Sequence, residues 1–470
     1  MRAGTASAGP MASQPVPRGS GNGSFATLLT SLTGAAVLLI VAREVFGGAA
    51  RYYFDRFGLG PLWFIPDLAV IAVVLMRMLL AAVTLRLPTP LIWLFGATVV
   101  QMAVGMVVYH NPVAVFSGFK LLCPVIAVLM LPPSYLNAKW WRRACLALLV
   151  LGVAGVAADT RMTMPWTGYS VSQFGVEREA GREWWIHGQE RIAGLGAASS
   201  ASASVLLLLA LIVLRQARTW HVRLLIYVAT LWALNTTTSR TNLIALAVAM
   251  IVDFWPWHWF QGLGPGRKTL GMLLSICFFL PAIAGLWLLA IDGVGDISVG
   301  MSSTVVRLHV TWPGVWEMIM DGGPATALLG HGFGSVGPAA FYTGVYVSPF
   351  SAVDNLFLYI LYQFGLFGVL MGVELIRRLV RVPRSDRHIG FVIAILSATI
   401  NCQGAAPLVL IGLAASLGAY PALATGAQDK ARKVARKVAG TMPIWRPPHA
   451  VSGPRGARHA PMTTRGTHAD

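Results

Sequence analysis

Apolar segments about twenty residues long recur along most of this 470-residue chain, separated by short polar stretches. An α-helix needs about that length to cross the hydrocarbon core of a bilayer. Only 11% of the residues are charged, about half the share that is usual in soluble domains. The pattern therefore predicts an all-α fold, a polytopic transmembrane helical bundle. It excludes a membrane β-barrel, whose strands are about ten residues long and alternate in polarity.

Twelve membrane-spanning helices are predicted. They lie at about 26–42, 62–80, 90–109, 113–132, 144–158, 198–214, 222–236, 241–260, 270–291, 353–373, 389–402 and 404–420. A disordered cytosolic segment, 1–25, is expected before this transmembrane domain (26–420), and a basic, disordered cytosolic tail, 421–470, after it. No internal repeat is visible in the sequence, which disfavours transporters built from two similar halves.

The distribution of Lys and Arg predicts the orientation of the bundle. With the N-terminus in the cytosol, 26 of the 36 basic residues fall on the cytosolic side, as the positive-inside rule requires. Both termini are then cytosolic, and two long loops, 159–197 and 292–352, are extracytoplasmic. The second long loop joins the ninth and tenth spans. Because the cytosolic loops are short and carry no Walker sequence, any chemistry is expected at the outer face, without nucleotide.

Two further segments bear on partners. The tail segment KARKVARKVAG, 430–440, is typical of a basic amphipathic helix on anionic lipid. The aromatic cluster FWPWHWF, 254–260, closes a span and is typical of a headgroup belt. Because most of the net charge of +18 is explained by membrane topology, membrane lipid is expected as a partner and nucleic acid is not.

Polar residues of a few chemical types gather at the outer helix ends and in the outer loops. They are Arg191 in HGQERIAGLGAASS, Arg240 in NTTTSRTNL, Arg307 and His309 in STVVRLHVTW, His331 in LLGHGFGSVG, and Asp354 in SAVDNLFLYILYQFGLFG. Arginine matches phosphate oxygens with paired, charge-assisted hydrogen bonds and keeps its charge. A partly desolvated carboxylate or a histidine serves as a general base for a hydroxyl. Charged groups this close to a membrane are costly, which favours function.

Each of the basic residues also has a purely structural interpretation. Arg191 could snorkel at the interface, with its stem against apolar surface. Arg240 follows hydroxyl and amide residues, so it could cap or bridge helices. Arg307 is the single basic residue of the second long loop and could pair with Glu317 or Asp321.

The remaining candidates have structural interpretations as well. His309 could pack in the loop, and His331, between glycines, could be a turn residue. Asp354 follows Ser351 by three residues, the spacing of a capping box, so it could cap the next helix. Along that helix, Asn355, Tyr359, Tyr362 and Gln363 share one face. That face could line a polar groove or pack against neighbouring helices.

In order and in membrane side, these motifs resemble the O-antigen ligase/polymerase superfamily, specifically the Wzy-type polysaccharide polymerases. The resemblance covers about 185–375: RIAGLGAASS, TSRTNLIAL, an Arg in a long outer loop, GHGFGS, and DNLFLYILYQFGLFG. It implies a fold similar to the membrane-embedded C type of glycosyltransferases (GT-C-like), without metal or cofactor. The implied substrate is an undecaprenyl-diphosphate-linked oligosaccharide, with Arg191, Arg240 and Arg307 binding diphosphate or glycan. Family ligases have His-Asn or a similar pair where this chain has Asp354-Asn355, which favours a polymerase.

The sequence thus leads to one main expectation and two alternatives. The main one is a metal-independent glycosyltransferase of the bacterial inner membrane that polymerises a surface polysaccharide, an exopolysaccharide or O-antigen. The alternatives are an O-antigen ligase and a transporter or flippase of lipid-linked saccharide. A flippase and chain-length or export proteins are the expected partners. The predicted catalytic residues are Asp354, Arg240 and Arg307, and the predicted substrate-binding residues are Arg191, His331, Asn355 and Tyr359.

Overall fold

The fold is given by a computed structural model. It describes residues 22–84, 89–132, 135–186, 189–254, 266–295, 303–334, 336–343, 353–399 and 404–418. The predicted N-terminal segment up to residue 21, most of the aromatic cluster at 254–260, Ser351 and the basic tail therefore lie outside the described residues. All described residues belong to one compact unit.

Sixteen α-helices are found among the described residues. They are α1 (Asn22–Val45), α2 (Gly47–Arg56), α3 (Ile65–Thr84), α4 (Thr89–Tyr109), α5 (Pro112–Leu129), α6 (Lys139–Asp159), α7 (Ser199–Leu214), α8 (Trp220–Thr236), α9 (Arg240–Phe254), α10 (Arg267–Asp292), α11 (Ser303–Val306), α12 (Trp312–Asp321), α13 (Gly323–Leu329), α14 (Leu356–Val380), α15 (Arg387–Thr399) and α16 (Ala405–Gly418). Short 3₁₀ turns lie at Gly60–Phe64, Tyr135–Asn137, Gly337–Tyr342 and Arg384–Asp386.

Seven helices are long and apolar enough to cross a membrane: α1, α3, α4, α5, α6, α10 and α14. Three shorter helices, α7, α15 and α16, are also apolar. Each of the twelve predicted segments overlaps one helix of the structure, with α8 and α9 accounting for the other two. The chain is therefore a helical bundle of the multi-pass membrane type, as its apolar runs predict.

Helix starts follow local chemistry. The side chain of Asn111 caps α5 by accepting hydrogen bonds from the backbone N–H groups of Val113 and Ala114, and Pro112 occupies the first position of the helix. Asn355 caps α14 by accepting a hydrogen bond from the Leu358 N–H at 2.9 Å. The capping role considered for Asp354 is therefore wrong, because the next residue performs it.

Helix α7 forms the centre of the bundle. Every residue from Val205 to Leu214 is buried, so this short helix is covered on all sides. It packs against α1, α6, α8 and α9. A helix that is apolar all round needs such an interior position, since it has no polar face for water. Its first residues, Ser199 and Ser200, thereby hold a fixed place at one end of the bundle.

The first long loop contains the strands of the structure. Strands β1 (Ser170–Gln173) and β2 (Val176–Glu179) pair antiparallel, and β3 (Trp185–Ile186) pairs with β4 (Gln189–Glu190). Phe174 and Gly175 form the two-residue hairpin turn between β1 and β2, both with positive φ, which is the backbone of a type I′ turn. A small apolar cluster around Met164 and Trp166 holds this hairpin against α2.

The second long loop is largely helical in its described part. It contains α11, α12, α13 and a five-residue π-helical turn, Arg307–Thr311. Its segment Gly330–Gly332 inserts against α14 at Gly365, where φ is 57° and the helix is broken. There the N–H of His331 donates to the Tyr362 carbonyl, and the N–H of Gly332 donates to that of Gln363. The inserted turn thus satisfies carbonyls that the broken helix leaves free.

Buried charges at the opposite end of the bundle are paired with one another. Asp253 on α9 accepts from Arg223 and from the Tyr227 hydroxyl, and lies 3.3 Å from His388. Arg215 donates to Asp386 at 2.9 Å. This cluster joins the ends of α7, α8, α9 and α15, and its charges pair with one another, which fits a structural role.

Candidate functional site

Asp354 and Arg307, two of the three predicted catalytic residues, form an ion pair. The Nε of Arg307 donates to the Oδ2 of Asp354 at 2.9 Å, and the two side chains are 21% and 17% exposed. Arg307 opens the π-helical turn, a distortion that is frequent at functional sites. The pairing considered for Arg307 with Glu317 or Asp321 is therefore wrong, because its partner comes from the start of α14.

The second carboxylate oxygen of Asp354, Oδ1, is buried and has no hydrogen-bond donor among the described residues. Burial raises the pKa of Asp354 above its usual range, although the Arg307 guanidinium acts to lower it. A carboxylate with a raised pKa and an unused oxygen is a stronger base than an exposed aspartate.

Arg191 lies beside this pair and links it to the first long loop. Its Nε donates to the Oγ1 of Thr238 at 2.9 Å, and its guanidinium lies 5.0 Å from the centre of the Trp184 ring. Burial, followed by the charges of Arg182 and Arg307, lowers the pKa of Arg191. Arg182 and Arg307 therefore lie close enough to Arg191 to repel its positive charge, and a bound anion would relieve this repulsion.

Arg240 is the first residue of α9, two residues after Thr238, and its side chain is exposed. It makes no hydrogen bond or ion pair with the described residues. A cation at a helix N-terminus faces the positive end of the helix dipole, which is an unfavourable place for it unless an anion binds there. Thr238 has a φ of 56°, a strained value for a β-branched residue. The turn before Arg240 is thus held in a costly conformation.

Asn355 and Tyr359 are placed as supports of the site. Asn355 is fully buried, caps α14, and donates to the carbonyls of Ser397 and Ala398 at 3.4 Å each. It therefore fixes the start of α14, and with it Asp354, against the end of α15. Tyr359 is 7% exposed and lies one turn further on. The polar face that begins with these two residues packs inside the bundle.

His331 and His309 are not brought to Asp354 by any described contact. The His331 ring stacks on Tyr362 at 4.1 Å between centroids, and its Nε2 lies 3.2 Å from the Met318 carbonyl. Burial lowers the pKa of His331, which favours the neutral ring. His309 lies in the π-helical turn, and its carbonyl accepts from the Gly295 N–H. His331 therefore holds the inserted turn in place.

A cavity of about 470 Å³ lies at the same end of the bundle as Arg191. Five cationic side chains line it: Arg43, Arg51, Lys120, Arg178 and Arg182. The residues Ala198, Ser200 and Ala201 at the start of α7 line it as well. Arg182 and Arg191 both stack on Trp184, at 4.2 and 5.0 Å. We call this space the basic cavity; the Trp184 stack connects it with Arg191 and hence with Arg307.

The cations of the basic cavity are absent from the predicted site. Arg43, next to Glu44, and Lys120 are isolated basic residues in otherwise apolar helices, where a sequence pattern alone indicates interface residues. The sequence feature closest to the cavity is the run RIAGLGAASS before α7. Its small residues predict that another group can approach the backbone closely, but they do not identify the cations that do so. These cations come from α1, α2, α5 and the first long loop, and only the folded chain brings them together.

No family model, no curated protein and no solved structure matches this chain. The fold and the site geometry define a helical, multi-pass membrane protein that carries a carboxylate–arginine pair near a basic cavity. The function has to be argued from these residues.

Proposed function

We propose that the chain is a polymerase of a bacterial surface polysaccharide, an exopolysaccharide or O-antigen. It joins undecaprenyl-diphosphate-linked repeat units at the periplasmic face of the inner membrane. In this proposal all twelve predicted segments cross the membrane in a GT-C-like arrangement, and both termini are cytosolic. The growing lipid-linked chain is the donor, and a new lipid-linked repeat unit is the acceptor.

The proposed reaction assigns one task to each charged group. The acceptor hydroxyl attacks the anomeric carbon of the donor, and its proton passes to Oδ1 of Asp354. The bond between that carbon and the diphosphate oxygen breaks, and undecaprenyl diphosphate leaves with the bonding electrons. Arg307, Arg240 and Arg191 stabilise the negative charge that develops on the diphosphate. The proton and the leaving group account for all atoms without a metal or a redox step.

The ion pair between Asp354 and Arg307 is the observation that carries the proposal. It joins a base with one unpaired, buried oxygen to a phosphate-binding type of cation, across 47 residues of sequence. Arg191 adds a second guanidinium, whose pKa is lowered by burial and then by the nearby positive charge. A base together with two or three arginines is what a glycosyl transfer from a diphosphate donor needs.

One observation favours a transporter as the second candidate. Helix α14 is broken at Gly365, and broken helices are common in transporters. The buried side chains of Gln363 and Gln101 lie beside the break. However, the chain fills the break itself. The side chain of Gln101 donates to the Leu329 carbonyl, and the backbone carbonyl of Gln101 accepts from the Phe333 N–H. This occupied break supports an enzyme scaffold more than a substrate path.

Deletion of the gene, followed by sizing of lipid-linked glycans, tests the proposal against both alternatives. The polymerase proposal expects single repeat units to accumulate on undecaprenyl diphosphate at the periplasmic face. Accumulation of full-length, undecaprenyl-linked polymer would instead identify a ligase. Repeat units confined to the cytosolic leaflet would identify a flippase. Complementation with Asp354→Asn then tests the site, with the wild-type gene as the control for expression.

A further inference from the structure

The basic cavity has a charge distribution that its own carboxylates do not balance. Asp67, at the start of α3, is 3% exposed and pairs with Arg43 and, at 3.8 Å, with Lys120. Glu44 lies 3.3 Å from Arg43 as well. These two cations and two carboxylates form a neutral group on one wall of the cavity. It keeps Arg43, itself only 9% exposed, in place.

Arg51 is the least compensated cation of the cavity. Its guanidinium lies 4.4 Å from the centre of the Trp63 ring, and within the described ranges no carboxylate comes within ion-pair distance of it. Its Nε is buried without a hydrogen-bond acceptor among those residues. Burial, then the charges of Arg178 and Arg43, lowers the pKa of Arg51 to about 10. Holding like charges this close costs free energy that a bound anion offsets.

Two more guanidinium groups face the cavity from the first long loop. Arg178, on β2, lies 4.5 Å from the ring centre of Phe341, which closes the cavity from the second long loop. Arg182 is exposed and stacks on Trp184. The carboxylates Glu177 and Glu179 also line the cavity. Both are exposed to solvent, as Arg182 is, so water and salt screen all three, and the less exposed Arg51 and Arg178 dominate the field inside the cavity.

The start of α7 adds oriented N–H groups to this positive space. Ala198 is its N-cap, and no side chain caps the helix. The N–H groups of Ser199, Ser200 and Ala201 precede the first intrahelical bond, which runs from Ser202 to Ala198. Uncapped N–H groups and the helix dipole favour phosphate. Here they meet the half-buried guanidinium groups of Arg51 and Arg178, which line the same cavity, so the helix end does not stand alone.

We propose that the basic cavity binds a diphosphate group, held by Arg51, Arg178 and Arg182 and by the N-terminus of α7. A diphosphate diester carries two negative charges, which suits several guanidinium groups better than a single carboxylate does. The cavity is of ordinary ligand-pocket size. Resting on the proposed function, the occupant is the diphosphate of the acceptor lipid, while Arg191, Arg240 and Arg307 hold that of the donor. A polymerase needs two such sites, because both of its substrates are diphosphates.

Binding to the full-length protein in lipid nanodiscs tests the cavity without turnover. The probes are undecaprenyl diphosphate, undecaprenyl monophosphate and inorganic pyrophosphate, measured by titration calorimetry. Arg51→Gln removes the uncompensated cation, and Arg51→Gln/Arg182→Gln removes two. Arg56→Gln is the matched control, since Arg56 is exposed on the same helix, donates to the Tyr52 hydroxyl and does not line the cavity. Thermal melting checks that each variant is folded.

The expected result is binding of undecaprenyl diphosphate at two sites, one of which weakens at least tenfold in Arg51→Gln, weakens further in the double variant and is unchanged in Arg56→Gln. Pyrophosphate should compete for the same site, and the monophosphate should bind more weakly. Equal affinity in wild type and a folded double variant would overturn the proposal. Pyrophosphate that binds but is not displaced by the lipid would overturn the assignment to a lipid-linked substrate. Loss of binding in Arg51→Gln, together with normal polymer in the deletion strain, would reject the polymerase and leave the cavity assignment intact.

Discussion

The substitution Asp354→Asn separates catalysis from folding. The amide keeps an oxygen that can accept the hydrogen bond from Arg307, but it cannot take a proton from the acceptor hydroxyl. Loss of a general base costs about 100- to 10,000-fold in turnover. We therefore expect polymerisation to fall by that factor while protein in the membrane stays at the wild-type level.

The stability of the same variant follows from the raised pKa of Asp354. Because the pKa of Asp354 is higher in the folded chain than in the unfolded chain, its protonation stabilises the fold, fully so below the unfolded pKa of about 3.9. This stabilisation is lost as the pH rises through the pKa of the folded state. Above the folded pKa the wild type has lost it and bears the cost of a buried charge, which Asn does not carry. Asn keeps the hydrogen bond from Arg307 but not the ion pair, so these two effects oppose each other, and the melting temperature of Asp354→Asn above that pKa is expected to stay close to that of the wild type.

The assay is polymer formation by purified protein in nanodiscs, with melting followed in parallel by intrinsic tryptophan fluorescence. Glu317→Gln is the control, because Glu317 is exposed on the same long loop and pairs with no cation in the described residues. Wild-type activity should rise with pH at values above the ordinary pKa of aspartate, because the base must be ionised and its pKa is raised. Polymerisation by Asp354→Asn within threefold of wild type would refute the assigned base.

Three further substitutions, the first with Gly323→Ala as its control, test the scaffold around the site. Gly330→Ala places a Cβ 2.3 Å from the Gln363 carbonyl at a φ of 79°, so we expect a loss of about 1–3 kcal/mol in melting experiments. Gly323→Ala, at a similar φ but in open space, should lose less. Asp67→Asn leaves two buried cations without their shared carboxylate and should cost about 3–5 kcal/mol, measured by thermal unfolding; an unchanged midpoint would contradict this pairing. His331→Asn should keep polymerisation within about threefold, because its ring serves the inserted turn; a loss like that of Asp354→Asn would place it in catalysis.

The helices were predictable because a bilayer requires long apolar runs, and those runs are visible without any knowledge of contacts. The predicted span at 198–214 coincides with α7, whose central position was not predicted. Sequence hydropathy reports how apolar a helix is, but lipid and protein are equally good surroundings for it. Which helices lie inside the bundle is decided by side-chain packing.

The candidate site was predictable only in its chemical types. The sequence pointed to Arg307 and Asp354 separately, but not to their ion pair, because 47 residues separate them and part of that stretch folds into helices. It also weighed Asp354 as the cap of α14, whereas Asn355 has that role. The basic cavity depends on residues such as Arg51 that come from distant helices. Its electrostatics therefore arise only when the bundle is assembled.

The most direct test of the central claim is reconstitution from purified components. Full-length protein in nanodiscs is supplied with undecaprenyl-diphosphate-linked repeat units and a metal chelator, and the products are sized by mass spectrometry. We predict glycans that grow by whole repeat units, with one undecaprenyl diphosphate released for each bond formed. Repeat units that stay at unit length with folded wild-type protein would contradict the assignment as a polymerase.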